Sequence, residues 1–142
     1  MKAERQESTG EVRRPVVAGS FYPGDAQLLA DDVDGFLDAA DLPALEGEIV
    51  GLVSPHAGYV YSGAVAGRAY ACVRGMSFDT VVVVAPSHRF SFRSASIFGG
   101  GGYATPLGVV PVDRELADAI SESSRGFGFE PRAHASEHSL EV

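Results

Sequence analysis

Apolar residues occur in this chain in two kinds of pattern. Over 26–40 they return at helical spacing. Leu28, Leu29, Val33, Phe36 and Leu37 share one face, and the aspartates fall mostly on the other. Asp25 stands where its side chain can cap the first turn. Over 49–53 and 81–85 the apolar run is unbroken, and the second contains four consecutive valines. Continuous apolarity over strand length marks a strand buried on both faces. Shorter runs predict strands at 94–98, 109–112 and 127–129. The small residues of 64–74 predict a helix, and Asp113 is placed to cap another running to about 123. Alternation of strand and helix predicts an α/β fold, with a largely parallel sheet flanked by helices.

Between these elements the chemistry is that of turns. The segment RPVVAGSFYPGD combines apolar anchors with two prolines and turn glycines, and predicts an ordered arm without regular structure. The glycines at 99–102 predict a hairpin or lid-like loop, followed by turn chemistry at Thr105 and Gly108. Residues 1–13 are polar and predict a disordered tail, leaving 14–142 as the folded portion. Leu140, Glu141 and Val142 look like the opening of an apolar element, which suggests a fragment; Ser136 is placed to cap a helix there.

Composition narrows the class. With 45% hydrophobic and 21% charged residues, the chain is ordinary for a soluble globular protein. A net charge of −8 argues against nucleic acid and anionic lipid as partners. Arg13 and Arg14 are the densest basic spot. No apolar run approaches the ~20 residues that span a bilayer, and the opening residues contain no apolar signal segment. A cytoplasmic location is the expectation. The single cysteine, Cys72, excludes an internal disulfide and a cysteine-based zinc cage. Its place on the apolar side of a helix suits a small core residue better than a nucleophile.

Two histidines are placed alike. His56 follows the 49–53 run by three residues and His88 follows the 81–85 run by three, each closely preceded by proline. If the two runs are parallel strands joined by a helix, both imidazoles emerge at the carboxyl edge of one sheet, where ligands bind in open α/β folds. Neutral imidazole is a good ligand for iron, copper or zinc, and proline restricts the exit of each loop. Two histidines make an incomplete site. Each could equally serve a hydrogen bond within its own loop. Tyr59, Tyr61 and Ser62 either line a pocket beside His56 or pack the loop into the core. His138 lies between Glu137 and Glu141, which could orient its ring or raise its pKa. It is the candidate for catalysis, with a structural role the alternative. His134 shows no partner pattern and is expected on the surface.

The segments RPVVAGSFYP (14–23), PHAGYVYSG (55–63), APSH (85–88), TPLG (105–108) and EHSLEV (137–142) occur in the order found in the Memo family, also known as AmmeMemoRadiSam system protein B. The chain resembles the N-terminal portion of that family from about Arg14 onward. The resemblance implies a fold like the extradiol (LigB-type) non-haem iron dioxygenases, with iron or copper held by residues matching His56 and His88. It implies that a carboxylate or a cysteine completes the site. Cys72 does not match that cysteine, and the remaining ligands are expected in the second half of the longer family members. It further implies association with AMMECR1-type and radical SAM proteins. The function expected on these grounds is metal binding, of redox or oxygenase-related type. The alternatives are a non-catalytic module that binds a peptide or small anion in a vestigial pocket, and an inactive fragment.

Overall fold

A computed structural model describes residues 10–92 and 94–142. The expected tail therefore falls largely outside the described residues. Its last part is ordered: Val12–Arg13 forms a strand, β1, because its backbone pairs with a later strand and the Arg13 side chain has buried partners. The chain divides into two compact units, each assembled from two segments. One joins the segment ending at Val16 to Ser87–Glu137. The other joins Val17–Pro86 to His138–Val142.

The first unit contains every strand assigned among the described residues. After β1 come β2 (Ala95–Ser96), β3 (Gly102–Thr105), β4 (Gly108–Pro111) and β5 (Phe127–Gly128). β3 and β4 form an antiparallel hairpin, with Tyr103 opposite Val110. Its turn is the expected TPLG. Thr105 Oγ1 accepts from Leu107 N at 3.1 Å and donates to Gly108 O at 3.1 Å, and Gly108 adopts φ +134°, which favours glycine. β1 adds to β3 in parallel, giving the order β1-β3-β4, and β2 pairs with β5 in parallel. A helix over Arg114–Ser123 follows Asp113, whose carboxylate accepts from Leu116 N at 3.0 Å as the pattern predicted. A short helix over Pro131–Ala135 begins with proline in its first turn and a Glu130 cap.

The second unit is built on two helices, numbered in chain order α1 (Ala26–Asp38) and α2 (Tyr59–Ala71), so that the helices of the first unit are α3 and α4. Asp25 caps α1 by accepting from Gln27 N and Leu28 N. Leu29 is buried, whereas Leu28 is 60% exposed, so the apolar face is narrower than its pattern. α2 starts at Tyr59 instead of the expected 64. Tyr59 N donates to Phe21 O at 2.7 Å and Ser62 Oγ donates to Ala57 O at 2.9 Å, which ties the helix entrance to the arm and its preceding loop. Gly63 and Gly67, one turn apart, let α2 close onto α1. A Cβ on Gly63 would lie 2.5 Å from the Phe36 ring, and one on Gly67 would lie 2.7 Å from Phe36 O.

The mixed α/β class holds, but the largely parallel sheet flanked by helices is a correction. No strand is assigned at 49–53 or 81–85 among the described residues. Val50 and Val53 are 96% and 97% exposed, and Val84 is 88% exposed. Apolarity signals the need for cover, yet a strand also requires a hydrogen-bonded neighbour, which pattern alone does not supply. Ser136 also differs from expectation. It ends α4 instead of opening a helix, because 137–142 turn back to bond the arm and loops.

Candidate functional site

In the first unit, His88 leaves the 81–85 run through Ser87, whose hydroxyl accepts from Phe90 N and donates to Phe90 O. The imidazole then meets a buried carboxylate. Glu137 Oε1 lies 2.8 Å from His88 Nδ1, and Glu137 Oε2 accepts the His88 backbone N–H at 2.5 Å. The Glu137 side chain is 5% exposed and that of His88 is 40% exposed. The pair therefore has a protected carboxylate behind a solvent-facing ring. The sequence pointed from Glu137 to its neighbour His138; the carboxylate also serves His88, 49 residues away. Nothing in the spacing of residues 88 and 137 announces that pairing.

The same unit buries His134, which was expected on the surface. Ser96 Oγ stands 2.9 Å from its Nε2 and Tyr103 OH stands 3.0 Å from its Nδ1, so both ring nitrogens are satisfied. Phe98 packs against both rings, Tyr103 and His134. Burial, and after it the Arg13 guanidinium, holds His134 below the ordinary imidazole pKa. Arg13 itself is buried, donates from Nε to His134 O at 2.7 Å and from Nη2 to Glu137 O, and lies 5.0 Å from the centre of the Tyr103 ring. Read as part of a basic spot near a polar tail, Arg13 gave no sign in the sequence of this buried role.

In the second unit, His56 occupies the loop that opens α2, and its ring lies 6.2 Å from that of His138. Phe21 links the two: its carbonyl holds the entrance of α2, and its ring meets His138 edge-on at 5.0 Å. Glu141 fixes the arm from the other end of EHSLE, accepting from Val17 N at 2.9 Å and Tyr22 OH at 2.7 Å. Ser139 Oγ donates to Pro86 O at 2.7 Å. The specific EHSLE segment thus has a hydrogen-bonding or ring-packing task at four of its five positions.

The three residues proposed from sequence beside His56 separate. Tyr59 packs against Tyr22 and Phe36, and burial raises its pKa. Ser62 is buried on its bond to Ala57 O. Tyr61 is 87% exposed on another face of α2. Cys72 ends α2, with its thiol donating to Arg68 O at 3.3 Å.

The class so defined is a mixed α/β protein in which one imidazole is backed by a buried carboxylate and two others lie together. Its sequence matches the family described as Memo-like protein over residues 13–142, and the chain belongs to that family. It is 39% identical to a MEMO1 family protein of Methanothermobacter thermautotrophicus over 92% of this chain and 50% of that protein. It is 38% identical to another from Thermotoga neapolitana, over 92% of this chain and 51% of that one. The chain spans about half the length of the curated relatives it matches.

Proposed function

We propose that this chain is the histidine-bearing portion of a metal-binding protein of redox or oxygenase-related type, with His56 and His88 as ligands and His138 as a proton-transfer group. The observation that carries the reading is the buried Glu137 carboxylate at His88 Nδ1. Metal-bound histidines characteristically give their second ring nitrogen to a carboxylate or carbonyl, which orients the ring and raises its basicity. The donor chemistry, imidazole beside carboxylate, suits iron or copper. Either metal would supply one-electron redox chemistry at the site. The protein's own contribution is to orient the imidazoles and to keep His138 near His56.

Family membership supports two further parts of the proposal. The apolar runs at 49–53 and 81–85 would be buried strands of an extradiol-dioxygenase-like sheet in the longer relatives. The protein would work in the cytoplasm beside AMMECR1-type and radical SAM proteins. Among the described residues, no helix is long and apolar enough to cross a membrane.

Titration with iron(II) and with copper, of this chain and of a full-length relative, tests the metal reading. His56→Ala and His88→Ala, or their equivalents, should each weaken uptake by more than the ~10–100-fold typical of losing a supporting partner. Equal affinity in wild type and both variants would remove the reading. Partner capture that persists without metal would favour a non-catalytic binding module instead.

A further inference from the structure

We propose that Glu137 is a positioning residue that sets the tautomer of His88, and that Arg13 anchors the main chain from which Glu137 acts. The purpose of the device rests on the reading of His88 as a ligand; its existence does not. A carboxylate only accepts hydrogen bonds and a main-chain N–H only donates. Glu137 Oε2 takes the His88 main-chain N–H, and Oε1 faces Nδ1 at 2.8 Å. The ring nitrogen that meets Oε1 must then bear hydrogen. The neutral ring is held as the Nδ1–H form, and its lone pair lies on Nε2. An imidazole without such a partner distributes between both tautomers.

Arg13 makes the arrangement stiff. Its guanidinium donates to His134 O, within α4, and to Glu137 O, just beyond that helix. A cation is favoured among the carbonyls at a helix C-terminus. The planar fork serves two acceptors at once, and its stacking over Tyr103 fixes its plane. The ammonium of lysine offers neither feature. Contacts therefore run from Arg13 to the Glu137 backbone, and from the Glu137 carboxylate to the His88 main chain and ring, all within one unit.

Two-bond proton–nitrogen correlation spectra of the metal-free, full 142-residue chain test this, recorded at a pH high enough that the imidazole signals no longer move. Wild-type His88 should show the Nδ1–H pattern. In Glu137→Gln the side chain has one acceptor where glutamate has two. The main-chain N–H claims that carbonyl, the amide NH2 faces Nδ1, and the tautomer reverses to Nε2–H. Arg13→Lys should shift His88 in the same direction, less completely, and provides the reading should Glu137→Gln fail to fold. A wild-type Nε2–H pattern, or variants that keep the Nδ1–H form, would overturn the inference. Iron(II) and copper titrations of the same samples should show a loss of ~10–100-fold in Glu137→Gln. Nδ1–H in wild type without metal uptake would leave this inference standing and end the functional reading. Uptake with an Nε2–H ring would do the reverse.

Discussion

Each ring nitrogen of His134 has a hydroxyl partner, and the ring is buried beside a guanidinium. Burial chiefly, and Arg13 next, hold its pKa below the ordinary value of 6.5, against weaker contributions from Ser96, Glu137 and Ile97. The folded protein therefore binds this proton less readily than the unfolded chain. The stabilisation is fully present above 6.5 and declines as the pH falls through the lower folded value. Chemical denaturation at about pH 7.5 and about pH 5.5 should show wild type losing stability between the two. His134→Gln should cost roughly 1–3 kcal/mol at the higher pH through unsatisfied partners, and less at the lower pH, where wild type has already lost part of this contribution. Equal losses at both would contradict the assignment. None of this was legible in sequence. Solitary His134 carried no periodic or spacing signal, and its partners Ser96 and Tyr103 lie 38 and 31 residues away. His56, His88 and His138 stood out because strand-end placement and a dense local motif leave marks that a single buried contact does not.

At the scale of elements, caps and close packing dominate. Asp25→Ala removes the acceptor for Gln27 N and Leu28 N and should cost about 1 kcal/mol in denaturant titration. Gly67→Ala sets two effects against each other. Alanine is favoured within a helix by about 1 kcal/mol, but its Cβ would press on Phe36 O, a backbone atom that cannot rotate aside. Overpacking of this kind typically costs about 1–3 kcal/mol. The expected net result is destabilisation, with Gly67→Ser at least as severe. A neutral Gly67→Ala would show that α1 and α2 shift apart freely. Both aspartate caps, and the bounds of α1 and α3 to within two residues, were readable because capping is local. The glycine pair was not, since small residues in a helix do not reveal which ring they admit.

For the molecule as a whole, the apolar runs are the informative failure. Pattern assigned 49–53 and 81–85 to the centre of a sheet; the structure leaves Val50, Val53 and Val84 almost fully exposed. Substituting threonine for Val53 or Val84 should therefore change the stability of this chain by no more than about 0.5 kcal/mol. Amides of 81–84 should exchange faster than those of β3 and β4. Slow exchange there, or a large loss in either variant, would show that these residues are covered in solution. Exposed apolar side chains in such numbers also favour self-association, so Val82→Lys with Val84→Lys should lower the concentration dependence of sedimentation.

The parallel pairing of Val12 and Arg13 with Gly102 and Tyr103 has a consequence for biosynthesis. Arg13 is translated well before its partners, since the carbonyls that receive its guanidinium belong to residues 121 and 124 positions later. On the ribosome a buried cation must remain hydrated until nearly all of its unit has emerged, since loop closure over such a span precedes any gain from the contact. Helices such as α1, whose caps lie within three residues, face no such delay. Order of emergence and order of consolidation are therefore decoupled for β1, because residues made more than 120 positions later complete the environment of Arg13.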